Sequence, residues 1–224
     1  SISYEFPDET INTNALGTVS ILQAIRKLEN NVVAILITSD KAYYNSEWVY
    51  GYRENDRLGG IDPYSASKSS TEILVIAYRA SFFLKKRIIG VSTGRAGNVI
   101  GGGDWSSKRL IPDCFRSIIN KKVISIRNPN FNRPWQLVLE PLKGYLMLAK
   151  NQYQNPKKFS GAWNFGTNPN SKTDVKSLVK LIIKFWGKGK LKIKKTNFYE
   201  QTNLQLNIKK AKRFLKWYPT YNIK

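Results

Sequence analysis

Val32-Val33-Ala34-Ile35-Leu36-Ile37 runs directly into Thr38-Ser39-Asp40-Lys41, and Tyr64-Ser65-Ala66-Ser67-Lys68 follows. The apolar run predicts a strand that delivers a hydroxyl, an acid and an amine at its C-terminal end. The second group opens a long helical pattern and adds a phenol and another amine. In open α/β sheets ligand chemistry sits at the C-terminal ends of strands, so the two groups together read as a proton-handling site.

Working outward, Tyr64 follows Asp62-Pro63, a good helix entry, and no Gly or Pro interrupts the chain from Tyr64 to Leu84. Lys68 then lies one turn after Tyr64 on the same helix face. A second Tyr-x-x-x-Lys, Tyr153 to Lys157, is discounted because Pro156 disfavours helical geometry in the residue before it.

The chain has 224 residues, 42% of them hydrophobic, enough for a sizeable core in one or two domains. A single cysteine, Cys114, excludes an intramolecular disulfide, and with no histidine the usual zinc and Cys-His arrangements are absent, so no metal is expected. No apolar stretch reaches the roughly 20 residues needed to span a bilayer, and Ser1-Ile2-Ser3-Tyr4-Glu5-Phe6 is not a signal peptide, so a cytoplasmic, membrane-free protein is expected. The net charge of +22 invites a nucleic-acid reading. Its lysines are scattered, however, and the two denser stretches, Lys184 to Lys195 and Lys209 to Lys216, are interleaved with apolar residues. A solvated basic surface is the preferred account, with no nucleic-acid partner.

Apolar residues Ile11, Ala15, Val19, Leu22 and Ile25 predict an amphipathic helix between Glu9 and Leu28. Tyr43 to Pro63, with Gly51, Gly59 and Gly60, reads as a long loop that helps cover the site. The helix from Tyr64 to about Leu84 is apolar around most of its circumference and needs burial on two sides, against its own sheet and against a partner subunit. A homodimer through the helices at 10–29 and 64–84 is therefore expected. A strand near Ile88 to Gly94 and a Gly101-Gly102-Gly103 loop complete a helix-strand alternation typical of a parallel α/β sheet. From Arg109 the order loosens. Helices are expected to Asn120, from Glu140 to Asn151, from Asp174 to Trp186 and from Ile208 to Trp217. Strands are expected at Val123 to Arg127, Trp135 to Leu139, Trp163 to Phe165 and Leu191 to Lys195. The division expected is 1–104, part of a dinucleotide-binding domain with the catalytic residues, and 105–224, mostly a substrate-binding lobe.

These segments resemble the extended short-chain dehydrogenase/reductases that act on nucleotide sugars, and within them the CDP-glucose 4,6-dehydratase branch. The resemblance rests on Thr38-Ser39-Asp40-Lys41, Gly51-Tyr52-Arg53-Glu54, Tyr64-Ser65-Ala66-Ser67-Lys68, Arg95-Ala96-Gly97-Asn98-Val99-Ile100-Gly101-Gly102-Gly103-Asp104-Trp105, Arg127-Asn128-Pro129, Arg133-Pro134-Trp135-Gln136 and Trp163-Asn164-Phe165-Gly166. It implies a partial Rossmann-like, doubly wound parallel sheet with a smaller mixed α/β substrate-binding lobe. The family opens with a strand, a glycine-rich turn and a helix that cradle NAD pyrophosphate, and no such stretch precedes Ser1, so the chain reads as a piece of a longer protein.

The resemblance further implies an internal redox cycle with NAD recycled. Tyr64 would take the proton of the sugar 4-hydroxyl as hydride leaves C4, its phenolate favoured by Lys68 and the cationic nicotinamide ring, with Ser39 orienting that hydroxyl. The same three residues would contact NAD. Asp40, as acid, and Lys41, as base, would then remove water across C5 and C6 of CDP-glucose. Arg133 is the first candidate for the substrate pyrophosphate, since a forked guanidinium suits it, followed by Asn98 and then by Arg109 and Arg127. Trp135 and Trp163 are read as core, and Asn14 as a tie on helix backbone. A nucleotide-sugar epimerase is the competing enzyme reading. It would keep Ser39, Tyr64 and Lys68 but have no use for Asp40-Lys41.

Overall fold

The structure, a computed structural model, describes residues 2–84, 88–168, 171, 173–194, 204–221 and 223. In chain order the helices are α1 (Ile2–Glu5), α2 (Pro7–Ile11), α3 (Gly17–Arg26), α4 (Pro63–Tyr78), α5 (Leu110–Ile119), α6 (Leu139–Gln154), α7 (Pro156–Phe159) and α8 (Val175–Trp186). The strands are β1 (Val32–Ile37), β2 (Ile89–Ala96), β3 (Val99–Ile100), β4 (Ile124–Ile126), β5 (Asn132–Arg133), β6 (Gln136–Leu137), β7 (Gly161–Phe165), β8 (Thr173–Asp174) and β9 (Leu191–Ile193).

β1, β2 and β7 form a parallel sheet in the order β1-β2-β7, with Val32 opposite Ile89 and Ser92 opposite Gly161. Side chains alternate across it. Val32, Ala34 and Leu36 pack with Leu22 and Ile25 of α3 and Val75 of α4, whereas Ile35 joins Leu148 of α6 with Trp163 and Phe165 of β7. Helices thus cover both faces, the doubly wound arrangement that the alternation predicts. β2 brings glycines to the α6 side. A Cβ on Gly90 would lie 2.5 Å from Gln152 Cγ, and one on Gly94 would lie 2.6 Å from the Tyr145 ring.

α4 starts where its cap residues dictate. Pro63 sits in the first turn, and the Asp62 carboxylate accepts the Ser65 N–H at 3.1 Å. It runs on through a π-helical segment, Arg79–Phe83, much as the absence of Gly and Pro to Leu84 predicts. The amphipathic stretch near the N-terminus is likewise continuous, with a π-helical segment, Asn12–Leu16, joining α2 to α3. The discounted Tyr153 and Lys157 fall in α6 and α7, separated by Asn155.

The second half of the chain does more than the sequence reading assigns to it. Trp163–Phe165 belongs to β7, the third strand of the central sheet, and Leu148, Ala211, Leu215 and Trp217 bury with Trp163 and Phe165 in one cluster. A strand this short carries no sign of which sheet it joins. A smaller cluster of Cys114, Ile118, Ile124, Ile126 and Val179 holds α5, β4 and α8 together, with β9 paired parallel to β4. The expected helix Ile208 to Trp217 is a π-helical segment, Ala211–Leu215. Lys195, the expected end of the β9 strand, lies outside the described residues.

Candidate active site

β1 hands the chain to a one-turn 3₁₀ helix, Asp40–Ala42, capped by Ser39. The Ser39 hydroxyl accepts the Lys41 N–H at 3.2 Å and donates to Asp40 Oδ1 at 2.9 Å. Asp40 is only 6% exposed, and burial pushes its carboxyl above the usual carboxylate range. The Lys41 charge and the Ser39 hydrogen bond oppose that rise without cancelling it. Gly97, just beyond β2, makes the space: a Cβ there would stand 3.0 Å from Asp40 Oδ2.

α4 brings Tyr64 and Lys68 to the same turn. The Lys68 ammonium lies 5.9 Å from the Tyr64 ring centroid and donates to the Ile37 carbonyl at 3.4 Å. Burial lowers the Lys68 pKa, against the Glu72 carboxylate, which raises it. Burial also holds the Tyr64 phenol above its ordinary value, and the hydrogen bond with Ser39 and the charge of Arg109 only partly offset this. The sequence reading expects Lys68 and the cationic nicotinamide ring together to favour the phenolate; of the chain's own groups, the Ser39 hydrogen bond and Arg109 lower the Tyr64 pKa less than burial raises it.

A cleft of about 720 Å³ opens over the turn, lined by Ser39, Asp40 and Lys41 and by all four expected substrate contacts, Asn98, Arg109, Arg127 and Arg133. Short ladders place two of these. Asn98 gives its carbonyl to the Gln136 N–H at 3.0 Å beside the β3–β6 pair, and Arg133 sits in β5 opposite Thr173 of β8. Arg109 faces Asp104 at 3.8 Å across an exposed rim. Trp163 is buried in the core cluster, in keeping with a core role, whereas Trp135, though buried, lines the cleft. Asn14 differs from expectation: its amide donates to the Ser67 hydroxyl at 3.0 Å, so it ties two helices rather than its own backbone.

Three buried residues escaped the sequence reading as site components. Glu72 of α4 and Arg95 of β2 pair at 2.7 Å with both side chains 1% exposed, and Arg95 Nη1 donates to the Tyr43 hydroxyl at 2.6 Å. A signal for them existed. One carboxylate in an otherwise uncharged helix stretch, Ser69-Ser70-Thr71-Glu72-Ile73-Leu74, and one guanidinium in a small-residue strand must find each other if both are buried.

Lys68 has further N–H bonds to give beyond the Ile37 carbonyl, and the Tyr64 hydroxyl beside it hydrogen-bonds with Ser39, a polar set that suits a hydroxyl-bearing ligand group. Among the described residues no group of three His, Cys, Asp or Glu side chains could hold a metal ion. Among them, too, no helix is long and apolar enough to cross a membrane.

The parallel sheet wrapped on both faces, with Ser39, Asp40 and Lys41 at the C-terminal end of β1, defines a Rossmann-like short-chain dehydrogenase/reductase fold. The sequence pattern of the family described as GDP-mannose 4,6 dehydratase matches residues 1–224, and the chain belongs to that family. It is 43% identical over 228 aligned residues to a protein named CDP-glucose 4,6-dehydratase from Salmonella typhimurium, covering 99% of this chain and 64% of that relative. The chain therefore spans somewhat less than two thirds of that relative's length. A trifunctional UDP-glucose 4,6-dehydratase, 3,5-epimerase and reductase of Arabidopsis thaliana is 30% identical over 58% of this chain and 18% of its own. Among solved structures, UDP-glucose 4-epimerase from Thermotoga maritima superposes with a TM-score of 0.82 at 21% identity, covering 99% of this chain and 69% of the other. A dTDP-glucose 4,6-dehydratase from Streptomyces venezuelae, solved with NAD, superposes at 0.80 with 16% identity, over 98% and 65% of the two chains. Both likenesses are likenesses of fold.

Proposed function

We propose that the protein to which this chain belongs is an NAD-dependent CDP-glucose 4,6-dehydratase, with Ser39, Asp40, Lys41, Tyr64 and Lys68 as its proton-handling groups. The observation that carries the reading is Asp40: a buried carboxyl with a raised pKa, beside Lys41, in the cleft that also holds Asn98 and Arg133. An epimerase has no work for such an acid. The named Salmonella relative and the NAD-bound dehydratase of similar fold support the same direction.

NAD, when bound beside Ser39, Tyr64 and Lys68, would supply the hydride chemistry, taking hydride from C4 and giving it to C6. Ser39 holds the 4-hydroxyl, and Tyr64 takes its proton. For Tyr64 to accept that proton as phenolate, positive charge must offset the burial that raises its pKa, a role for Lys68, 5.9 Å from the ring centroid, together with the cationic nicotinamide ring. With C4 a ketone the C5 proton is acidic; Lys41, in its neutral form, takes that proton and gives it back to C5 once hydride has reached C6. Asp40, whose carboxyl burial holds above its ordinary pKa, gives its proton to the departing C6 hydroxyl, so that water leaves. Arg133 and Asn98, then Arg109 and Arg127, hold the pyrophosphate side of the substrate in the cleft.

The test is turnover by the full-length protein. CDP-glucose is expected to give the 4-keto-6-deoxy product without net consumption of NAD, with Asp40→Asn and Lys41→Ala each blocking water loss. Inversion at C4 with no water loss would identify an epimerase, and release of product only from dTDP-glucose or GDP-mannose would overturn the substrate assignment. The reading includes a cytoplasmic homodimer. On α3 and α4, Ile21, Ile73 and Ile76 are 51%, 55% and 47% exposed, an apolar face that a second copy would cover. Ile73→Glu with Ile76→Glu is expected to yield monomers in sedimentation, and an unchanged mass would remove this face as the dimer contact.

A further inference from the structure

We propose that the buried Glu72–Arg95 pair is a clamp that positions the Ser39-Asp40-Lys41 turn from both of its ends. The proposal rests on the dehydratase reading for what the turn does, but on geometry alone for the clamp.

Each end of the turn is tied to the pair. Thr38, the residue before the turn, donates its hydroxyl to Glu72 Oε1, which also accepts from Arg95 Nε at 2.8 Å. Glu72 Oε2 accepts from Thr93 Oγ1 and from Arg95 Nη2, both at 2.7 Å. Tyr43, the residue after the turn, accepts from Arg95 Nη1 at 2.6 Å, and the same nitrogen donates to the Glu54 carbonyl at 3.0 Å. Ser69, one turn before Glu72, adds a hydrogen bond to the Ala42 carbonyl at 2.9 Å. The four residues 39–42 are therefore held between two anchors on one ion pair.

The pair also sets where the rest of the site stands. α4 carries Glu72 two turns after Tyr64 and one turn after Lys68, so the clamp fixes the phenol and the ammonium relative to Asp40 and Lys41. β2 carries Arg95 two residues before Gly97, the wall against which Asp40 rests. Loosening the clamp would let the Ser39-Asp40-Lys41 turn and the Tyr64 and Lys68 side chains of α4 drift relative to each other. A buried ion pair is seldom stabilising compared with apolar packing, so holding geometry is the role the pair is suited to.

The test uses variants that leave the ion pair whole, Thr38→Val cutting one tie to it and Tyr43→Phe cutting the tie to Arg95 together with the Tyr43 hydrogen bond to Asn164 Oδ1. In Thr38→Val, Glu72 Oε1 keeps Arg95 Nε, and in Tyr43→Phe, Arg95 Nη1 keeps the Glu54 carbonyl. In the full-length protein the double variant is expected to lower kcat on CDP-glucose by about tenfold, with KM within about twofold of wild type, as misplacement of positioned groups does. The kinetic isotope effect with deuterium at C5 should grow, because water loss becomes slower relative to the other steps. The Asp40 carboxyl titration, followed by NMR, should shift from its wild-type position. A lower melting temperature with kcat, isotope effect and Asp40 titration all unchanged would reduce the pair to a structural brace and overturn the proposal. Should the wild-type protein not turn over CDP-glucose, the dehydratase reading fails, and the Asp40 titration in the two variants still decides the clamp.

Discussion

Asp40 shows at the residue scale how the same burial serves chemistry and costs stability. Its carboxyl titrates above its ordinary value in the folded chain, chiefly through desolvation. Between the unfolded and folded pKa values the folded state holds the extra proton, so Asp40's contribution to stability is full below the unfolded pKa and is lost as pH rises through the folded one. Asn at this position cannot ionise. Asp40→Asn is therefore expected to melt higher than wild type at neutral pH while losing water elimination, with the difference in melting temperature shrinking as the pH falls below the ordinary carboxylate range. Parallel melting curves across that range would show that Asp40 is not the strained group. Direct reading of the sequence singled out the five residues proposed to handle protons, because each lies within a few positions of a strand end or helix cap.

At the scale of elements, β2 determines how closely α6 can pack. Gly90 and Gly94 face Gln152 and Tyr145 at distances that leave no room for a methyl group. Gly94→Ala is expected to cost about 1–3 kcal/mol, since overpacking forces the Tyr145 ring or the backbone to move. Urea unfolding of the variant measures that cost, and an unchanged midpoint would mean that α6 can retreat freely. The sequence made β1, β2, α4 and α8 legible through apolar runs, helix caps and 3.6-residue periodicity. It left the membership of β7 open, because five residues beginning with Gly161 have the same local pattern in any sheet.

Across the whole molecule, the Glu72–Arg95 pair joins α4 to β2, and Thr38 and Tyr43 extend that link to the end of β1 and the loop after it. Glu72→Ala would leave the Arg95 guanidinium buried without its carboxylate. The expected loss is about 3–5 kcal/mol, well above an exposed Glu-to-Ala change. Chemical denaturation checks it, and a loss near zero would imply that water reaches Arg95 in the folded state. Substitution of Arg53, whose pair with Asp56 is 60% exposed on the Arg53 side, should by contrast barely register.

By itself the sequence determined the α/β alternation, the strand that ends in Ser39-Asp40-Lys41, and the helix that stacks Lys68 one turn after Tyr64. These follow from periodicity, capping and chain connectivity, which act over a few residues. Only the tertiary structure decided that β7 completes the central sheet, that Gly97 makes room for Asp40, and that Glu72 meets Arg95 across 23 positions of chain. It also decided the direction of the Tyr64 pKa, which depends on how much water the folded surroundings exclude. Pairing, close approach and desolvation are properties of distant segments brought together, and no local pattern encodes them.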